Sequence, residues 1–505
     1  MKEPKKQSAV VSHPGRKKQG PQRQAGFPAS APACRDAQVF VAEMQKNVAR
    51  MGHPLPEKRS SGAKARIDSV VVMRGLPPPP PSGSQLVQIE KPVYGGEFLA
   101  RIESKAVFVP LVLPGERARV RIAQSKSSYA TAEAEEIVAS APERVPPACP
   151  HFGACGGCHY QHIGYETQLA FKQAILRETL ERGGLPVPAE IAVLSADPWR
   201  YRNRIRLAFD AAGRPGYRGR RSHAVIPVSE CPIAAPLLLK AAKAFAEVAR
   251  KISPAFKPAE IALFCDAVET SLLASVSTAS AKKIRFDELA LAWHERLPAL
   301  IGADLLLESR IAEPPRTVAQ WGANSLSYRA AGFDYRVDRG AFFQVNRWLV
   351  DALVECVTAG QQGALAWDLY AGVGLFARRL TANFTRVVAV ESAPSATQAL
   401  AANLKGSRGI PVRSSTVDFL HRNGQSERPD LIVVDPPRTG LGAETCAFLA
   451  QVAAPAVACV SCDPATLARD LRMLAGSGYA IQSITLADLF PQTFHIETVV
   501  QLRRS

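Results

Sequence analysis

The sequence predicts an α/β protein whose C-terminal part is a doubly wound, mostly parallel sheet, preceded by a small β-barrel and a mixed α+β segment. Apolar runs of strand length recur late in the chain. Helical stretches of about ten to twenty residues separate most of them, as in a parallel sheet. After Gln85, short runs alternate between apolar and polar residues, as in an antiparallel barrel. The region between these two mixes helical and strand patterns.

The length and composition indicate a globular protein of several domains. The chain has 505 residues, of which 47% are hydrophobic, and one hydrophobic core rarely serves so long a chain. No stretch of about 18 residues is apolar without charge, so we expect no membrane contact. The basic N-terminus has no apolar core behind it, which argues against a secretory signal. We therefore expect a cytoplasmic protein whose ten cysteines are thiols, ligands or catalysts rather than disulfides.

Residues 1–82 form a basic, proline-rich extension that we predict to be disordered. Residues 1–75 hold 15 lysines and arginines against 5 acidic residues, and the whole chain has a net charge of +17. This balance indicates a polyanionic partner, most often nucleic acid, although a solubilising tail has the same composition. The run "LPPPPPSGS" closes the extension as a stiff linker.

Three predicted domains follow the extension. The barrel covers residues 83–141, where Gly95-Gly96 and Pro114-Gly115 mark turns between alternating runs. Small basic barrels often bind oligonucleotides, but the same pattern also builds plain spacers. The central α+β domain covers residues 142–340, and the sheet domain covers residues 341–505.

A cysteine cluster opens the central domain. "CPHFGACGGCHYQH" carries Cys149, Cys155 and Cys158 at C-x5-C-x2-C spacing, with glycines that let the backbone wrap around a compact group. Cys231, in "SECPIA", is the nearest fourth ligand. Four thiolates suit an iron–sulfur cluster or a structural zinc ion. Zinc sites usually show two C-x2-C-like pairs and this chain has one, so the spacing favours iron–sulfur. Four unrelated core cysteines are the remaining alternative.

Acids and glycines at successive strand ends predict a nucleoside-binding pocket. "AWDLYAGVGLFA" ends a strand at Asp368 before a turn in which glycines let a ligand approach the backbone. Glu391 ends the next strand about twenty residues on, where an acid accepts hydrogen bonds from ribose hydroxyls. The dinucleotide pattern G-x-G-x-x-G is absent, which favours S-adenosylmethionine. Asp418, near the following strand end, either contacts the adenine or caps a helix.

The run "LIVVDPPRTGL" adds a further acid at this edge. Asp435 leaves a buried strand into two prolines that fix the turn. Enzymes that methylate exocyclic amines carry an aromatic residue where this chain has Arg438. Because an aromatic ring is what would hold such an amine, the arginine argues against N-methylation.

Cys462, in "VSCDPATLARDL", lies where a buried strand ends and a helix begins. Ligands bind at this edge of such folds, and we expect the helix N-terminus and nearby arginines to lower the pKa of the thiol. We therefore interpret Cys462 as a nucleophile rather than a buried structural thiol. A cysteine beside S-adenosylmethionine suggests methylation at carbon 5 of uracil or cytosine, because a thiolate adding to carbon 6 makes carbon 5 nucleophilic. Glu497, in "HIETVV", is the predicted base for the carbon 5 proton, and His495 is the second choice.

Jointly, these motifs resemble the RNA 5-methyluridine methyltransferases, specifically the iron–sulfur branch that acts on 23S ribosomal RNA. The similarity runs from about Gln85 to the C-terminus. "GGEFLARIESKAVFVPLVLPGE" resembles the family's TRAM barrel, and "CPHFGACGGCHYQH" with "CPIA" resembles its cluster-binding segment. "SCDPATLARD" and "HIET" resemble its nucleophile and proton-acceptor motifs.

The resemblance implies a Rossmann-like S-adenosylmethionine-dependent methyltransferase domain, a TRAM or OB-like barrel, and a central iron–sulfur domain. It implies Cys462 as nucleophile and Glu497 as proton acceptor. It implies one 4Fe-4S cluster with four ligands, namely Cys149, Cys155, Cys158 and Cys231. It implies four contacts with S-adenosylmethionine, from Gln344, Tyr370, Glu391 and Asp435. The chain departs from the family at Leu375, where an asparagine is usual, which removes one expected cofactor contact.

The predicted function is therefore methylation of carbon 5 of a specific uridine in RNA through a covalent cysteine–uridine adduct. We expect 23S rRNA as the substrate, with tRNA as the alternative, and a monomeric enzyme. A second hypothesis is a non-catalytic RNA-binding factor that keeps a vestigial methyltransferase fold. N- or O-methylation would leave Cys462 and Glu497 without roles.

Overall fold

A computed structural model of the chain describes residues 83–281, 284–308 and 315–504. All of these described residues lie in one compact unit. The extension predicted for residues 1–82 lies outside the described residues. None of the helices described is long and apolar enough to cross a membrane.

Five strands close into a small barrel, as the sequence predicts for residues 83–141. They are β1 (Gln85–Val93), β2 (Glu97–Ile102), β3 (Lys105–Pro110), β4 (Arg117–Ser125) and β5 (Tyr129–Ala139). The order around the barrel is β1-β2-β3-β5-β4. β3 and β5 pair in parallel, whereas the other neighbours are antiparallel. Every second residue of β4 from Ala118 to Ile122 is buried in the barrel core, which is the period of two that a half-buried strand requires.

The central region contains a seven-stranded sheet and a two-stranded hairpin. Its elements are α1 (Tyr165–Arg182), β6 (Ala192–Leu194), β7 (Arg204–Phe209), β8 (Pro215–Arg218), β9 (Val225–Pro227), α2 (Pro236–Ile252), β10 (Glu260–Cys265), β11 (Leu272–Thr278), α3 (Phe286–Arg296), β12 (Leu300–Leu307), β13 (Arg316–Gly322), β14 (Ser325–Ala330) and β15 (Phe333–Asp338). The sheet order is β13-β12-β11-β10-β7-β8-β9. α2 and α3 share one apolar core with this sheet, in which Phe245 packs against Trp293.

An eight-stranded sheet forms the C-terminal domain. Its further elements are α4 (Val350–Thr358), β16 (Gly363–Leu369), α5 (Leu375–Leu380), β17 (Phe384–Glu391), α6 (Pro394–Leu404), β18 (Gly409–Arg413), α7 (Thr416–Asn423), β19 (Leu431–Val434), α8 (Gly442–Val452), β20 (Ala456–Ser461), α9 (Pro464–Ala475), β21 (Tyr479–Ala487) and β22 (Glu497–Arg504). The strand order is β18-β17-β16-β19-β20-β22-β21-β6.

The parallel strands carry the sequence signature from which they were predicted. All residues of β19 and β20 are buried, because helices cover both faces of the sheet, and two large apolar cores lie there. β16 to β20 run parallel, and β22 is antiparallel to β20. The carboxyl ends of the parallel strands therefore meet the start of β22 at one edge.

Packing crosses the predicted boundary at residue 341. β6, from the central region, pairs in parallel with β21 and extends the C-terminal sheet. α1 packs against α9 and shares the core of that domain. The hairpin β14–β15 packs against α6 in the core on the opposite face. The segment that follows the cysteine run is therefore part of the frame of the C-terminal domain.

Candidate active site and cysteine site

The predicted nucleophile and base lie side by side at the carboxyl edge of the sheet. β20 pairs with β22 in a register that sets Val460 opposite Val499 and Ser461 opposite Thr498. The next position in this register sets Cys462 level with Glu497. Asp435 directly follows β19, the other neighbour of β20. The fold therefore brings three reactive side chains from distant motifs to one place.

A helix cap fixes the backbone beside Cys462. The Asp463 carboxylate accepts hydrogen bonds from the backbone N–H groups of Ala465 and Thr466 at 3.0 and 2.9 Å. Pro464 then begins α9, a position that needs no N–H donor. Aspartate at the cap satisfies the free N–H groups of the first turn, so the positive end of α9 is already paired with a carboxylate.

The thiol of Cys462 has a raised pKa, contrary to the expectation from sequence. Burial and then the nearby carboxylates of Glu497, Asp435 and Asp463 together raise its pKa to about 12, and Arg438 acts in the opposite direction. The expectation was wrong because the sequence does not show that three acids surround the thiol. It also does not show that the helix N-terminus is occupied by Asp463.

The predicted base is a buried acid. The Glu497 side chain is 7% exposed, so it does not behave as a surface-strand residue. Burial, and then Asp435, raise its pKa well above the usual range, and Arg438 partly offsets this. Burial raises the pKa of Asp435 to about 7. Two acids and a thiol with raised pKa values at one edge form the pattern expected of a site that transfers protons.

His495, the second choice as base, is held as a neutral ring. Burial, and to a smaller extent the charge of Arg438, lower its pKa to about 3. An Arg438 guanidinium nitrogen lies 3.0 Å from His495 Nδ1. His495 Nδ1 therefore accepts this hydrogen bond, and the ring proton resides on Nε2. A ring with this pKa is a poor proton acceptor at neutral pH, which favours Glu497.

The pocket predicted for S-adenosylmethionine forms around the turn after β16. One Asp368 oxygen accepts a hydrogen bond from the Ala377 N–H at 2.8 Å, and the other is buried without a partner among the described residues. Burial raises the pKa of Asp368 to about 8. The Gly372 N–H donates to Glu391 at 3.0 Å, which joins the turn to the end of β17.

Backbone strain marks the same turn. Tyr370 has a φ of 65°, which costs a residue with a β-carbon on the order of 1–3 kcal/mol and is concentrated at functional sites. Gly374 has a φ of 90°, and a β-carbon there would lie 2.6 Å from a Leu400 methyl group. The glycine is therefore required both by conformation and by close packing.

Gln344 and Asp418 occupy different surroundings. Gln344 is buried, and its backbone carbonyl accepts a hydrogen bond from Asn203 Nδ2 at 2.9 Å. Asp418 lies in the first turn of α7, where its N–H donates to Ser415 Oγ at 3.1 Å and its carboxylate accepts from that hydroxyl at 2.6 Å. The N-cap of α7 is Ser415 rather than Asp418, whose carboxylate holds the capping hydroxyl, and the adenine contact stays a prediction.

The four predicted ligand cysteines face one cavity of about 360 Å³. Cys231, from the distant Cys-Pro motif, lies near the thiols of Cys149, Cys155 and Cys158. The bridge between Cys155 and Gly219 ties the cysteine run to the strands that precede Cys231. Spacing along the chain therefore identified four thiols that the fold brings together.

Two of the four sulfurs accept a hydrogen bond. The Gly157 N–H donates to Cys155 Sγ at 3.4 Å, and Tyr217 Oη donates to Cys231 Sγ at 3.8 Å. The backbone at Cys149 is held by the Phe152 N–H, which donates to its carbonyl at 3.1 Å, and by Gln161 Oε1, which accepts from its N–H at 3.0 Å. Donors aimed at sulfur stabilise thiolates and tune clusters, so the donor set fits a four-cysteine cluster.

The four thiols line one cavity without forming a compact metal-binding group. Within residues 83–281, 284–308 and 315–504, no three or more His, Cys, Asp or Glu side chains lie close enough together to hold a metal ion. The iron–sulfur cluster and the zinc ion therefore both stay predictions.

One residue of the site escaped sequence analysis. Tyr94, in the turn after β1, donates from its hydroxyl to the Cys462 carbonyl at 3.4 Å and packs edge-on against Phe494. The barrel thus contributes a side chain beside the predicted nucleophile. The only signal in the sequence is an aromatic residue before Gly95-Gly96, which by itself does not indicate a contact across 368 positions.

The fold is that of an S-adenosylmethionine-dependent methyltransferase with an N-terminal barrel. The chain is similar to the tRNA (uracil-54, C5)-methyltransferase of Pyrococcus abyssi, solved with S-adenosyl-L-homocysteine, with a TM-score of 0.67 and 23% identity. That likeness covers 83% of this chain and 100% of the other. The TRAM domain description matches residues 84–134, and the tRNA (Uracil-5-)-methyltransferase description matches residues 425–505.

Curated relatives define the family. The 23S rRNA (uracil(1939)-C(5))-methyltransferase RlmD of Chromohalobacter salexigens is 32% identical over 83% of this chain and 89% of its own length. The RlmD protein of Halomonas elongata is 29% identical over 89% of this chain and 92% of its own. An uncharacterized RNA methyltransferase of Streptomyces avermitilis is 33% identical over 82% of this chain and 97% of its own length. The chain belongs to the RNA uracil-5-methyltransferase family and is an S-adenosylmethionine-dependent methyltransferase.

Proposed function

We propose that this enzyme methylates carbon 5 of a specific uridine in 23S rRNA through a covalent bond between Cys462 and the base. The observation that carries the proposal is the alignment of Cys462 and Glu497 on neighbouring strands, next to Asp435. Methylation at carbon 5 needs both a nucleophile and a base. Methylation of a nitrogen or oxygen would need neither residue in that arrangement.

The chain's residues divide the reaction into two parts. Cys462 Sγ adds to carbon 6 of uracil as the thiolate, and the electron pair that moves to carbon 5 takes the methyl group from S-adenosylmethionine. Glu497 then takes the carbon 5 proton, and the bond between sulfur and carbon 6 breaks as the double bond returns. S-adenosylhomocysteine and the 5-methyluridine are the products, and the proton leaves through Glu497.

Arg438 has a supporting role in this scheme. Its charge opposes the rise in the pKa of both Cys462 and Glu497, so it favours the ionised forms that both steps require. It also fixes His495 through a bond of 3.0 Å. The arginine in "DPPR" therefore suits thiolate chemistry, as an aromatic residue would suit an amine.

We assign the methyl donor to the turn after β16. Tyr370, Glu391 and Asp435 lie at the ends of β16, β17 and β19, and Gln344 precedes α4. The Glu391 carboxylate is the proposed partner of the ribose hydroxyls. Asp418, one strand further, is the proposed adenine contact. The Leu375 side chain is buried in the core, so it packs beside the proposed pocket and offers no hydrogen bond to the methyl donor.

We assign one 4Fe-4S cluster to Cys149, Cys155, Cys158 and Cys231. The support is the shared cavity and the hydrogen-bond donors at Cys155 and Cys231. Burial raises the pKa of the Cys158 thiol to about 12, so this sulfur would ionise as iron replaces its proton. Such a cluster supplies structural cross-links, and no step of the proposed methylation uses it.

The RNA partner follows from access to the site. A uridine in a stacked helix cannot reach a half-buried thiol, so the target base must leave its stack. A loop or a locally opened stem of rRNA meets this requirement, and the barrel beside Cys462 is the proposed holder of flanking phosphates. We expect the enzyme to act as a monomer.

The test uses the purified chain with S-adenosylmethionine and transcripts of 23S rRNA or tRNA. Mass spectrometry of digested products should find 5-methyluridine at one position of the 23S transcript and none with Cys462→Ala. Methylation of the tRNA transcript alone would assign the alternative substrate. Binding of RNA without any methylated product would instead support the non-catalytic hypothesis.

A further inference from the structure

The loop that leads into Glu497 is held by side chains of α1. This base loop, Asp488–Ile496, joins β21 to β22, and its ends are fixed where Ala487 pairs with Glu497. Asp488, Gln492 and Thr493 are each buried. The base loop is therefore an internal part of the molecule, and its shape sets where β22 begins.

A fully buried ion pair anchors the start of the base loop. Lys172 Nζ lies 2.6 Å from Asp488 Oδ1, and neither side chain is exposed to solvent. The same nitrogen donates to the Phe490 carbonyl at 3.0 Å. Tyr165 Oη donates to the second oxygen of Asp488 at 2.9 Å. The two residues from α1 thus satisfy both carboxylate oxygens and one loop carbonyl.

A second contact holds the middle of the base loop. Gln168 Nε2 donates to Gln492 Oε1, and the Gln492 N–H donates to Gln168 Oε1, both at 3.0 Å. The Gln492 carbonyl accepts from the N–H groups of His159 and Tyr160 at 2.9 and 3.0 Å. Gln492 has a φ of 67°, a conformation that a residue other than glycine holds only when its surroundings impose it.

We expect these contacts to add little to the stability of the fold. A buried ion pair often contributes no more than apolar residues of similar volume, and a strained backbone opposes folding. Both features occur in the short loop that ends at the predicted base. Because Glu497 must meet one proton on one face of the uracil ring, a displacement of about 1 Å is enough to slow its step.

We propose that Lys172, Gln168 and Tyr165 are positioning residues, which act through the base loop to set Glu497 for removal of the carbon 5 proton. This inference rests on the proposed function. Cys462 lies at the end of β20 and is fixed by the cap of α9, and its link to the base loop is indirect, through Tyr94, which packs on Phe494. Loosening the loop should therefore slow release of methylated RNA and leave addition of Cys462 to uracil nearly unchanged.

The test variant is Lys172→Met with Asp488→Asn. It removes both charges together, so no unpaired charge is buried, and the asparagine oxygen still accepts from Tyr165. The RNA is the transcript that the wild-type enzyme methylates, carrying tritium at carbon 5 of uridine, with S-adenosylmethionine labelled in its methyl group. In single turnovers we expect methyl transfer within about twofold of wild type and tritium release at least about tenfold slower. Methylated RNA should accumulate on the protein in denaturing gels.

The matched control is Arg144→Met with Glu116→Gln. This pair joins the barrel to the segment that follows it, with its two side chains 2.6 Å apart and Glu116 fully buried, and its removal should leave both rates unchanged. Tyr165→Phe deletes one hydrogen bond to Asp488 and should accumulate more adduct than wild type but less than the double variant. If the double variant does not fold, Tyr165→Phe tests the proposal in its place. Equal slowing of methyl transfer and tritium release, or wild-type rates in a folded variant, would overturn the proposal. If Glu497→Gln itself gives no adduct, the base assignment fails instead.

Discussion

In the proposed mechanism, the protonation state of the Cys462 thiol decides when the sulfur can add to uracil. Burial and three neighbouring carboxylates raise the pKa of the thiol to about 12, so the free enzyme holds a thiol rather than a thiolate. This arrangement protects the nucleophile from oxidation, since the thiolate is the reactive form. It also means that the rate of adduct formation depends on how much thiolate is present.

The first prediction concerns the pH dependence of adduct formation. With RNA carrying 5-fluorouridine, which traps the adduct because fluorine does not leave as a proton, the rate should rise about tenfold per pH unit from pH 6 to 9. Rapid-quench sampling and denaturing electrophoresis measure this rate. A plateau above about pH 7 would contradict this expectation and assign the thiol proton to an internal acceptor such as Asp435.

The second prediction concerns Asp368. Its pKa of about 8 lies above the ordinary value of 3.8, so the folded state binds this proton more tightly than the unfolded chain. The stability from this proton is complete below about pH 4 and is lost as the pH rises through 8, by roughly 1 kcal/mol per pH unit. Melting temperatures of the ligand-free protein should fall less steeply between pH 5 and 8 in Asp368→Asn. The exposed Asp287→Asn control should follow wild type, and parallel curves for both variants would refute the assignment.

Features that depend on neighbouring residues could be predicted from the sequence. They include the strand that ends before Cys462, the helix after it, and the acids at the ends of β16 and β17. The raised pKa of Cys462 and the contact made by Tyr94 could not be predicted, because both depend on residues far away in the chain. Tyr94 and Cys462 are separated by 368 positions, and no periodic pattern records that distance.

At the scale of elements, the cysteine segment and α1 connect the central region to the C-terminal domain. His159 and Tyr160 directly follow Cys158 and bind the base loop, and α1 then packs beside α9. The strand β6 could not be predicted from its sequence, because it has three residues of which none is buried. Its place in the C-terminal sheet is decided by pairing with β21 rather than by its own pattern.

The third prediction is that the cysteine site holds iron and acts structurally. Protein purified without oxygen should be brown and contain about four irons per chain. Cys231→Ala should lower iron content and the yield of folded protein, whereas the chemical step in the surviving protein should change little. Cys265→Ala, a buried cysteine outside this cavity, is the matched control and should keep its iron. Stoichiometric zinc without iron would refute the cluster.

At the scale of the whole molecule, the net positive charge favours RNA binding. The chain carries a net charge of +17, of which residues 1–75 supply more than half. Phosphate contacts release counterions and are insensitive to sequence. We therefore expect the described part of the protein to select the target uridine, because Tyr94 of the barrel reaches Cys462, the proposed nucleophile.

The fourth prediction is that deleting residues 1–75 weakens RNA binding without moving the methylated position. The slope of log affinity against log salt concentration should become shallower by about 0.7 to 0.9 for each phosphate that the shortened protein no longer neutralises. Filter binding over a series of salt concentrations measures the slope, and mass spectrometry of the product maps the position. A shifted methylation site after deletion would identify the extension as a determinant of specificity.

The most direct test of the account compares Cys462→Ala with Glu497→Gln on the same RNA. Cys462→Ala cannot add to carbon 6, so it should form no adduct and no product while it still binds S-adenosylmethionine. Glu497→Gln adds and transfers the methyl group but cannot remove the proton. Methylated RNA should therefore stay attached to the Glu497→Gln protein through denaturing electrophoresis. Continued turnover by Cys462→Ala would contradict the central claim that this cysteine forms the bond to uracil.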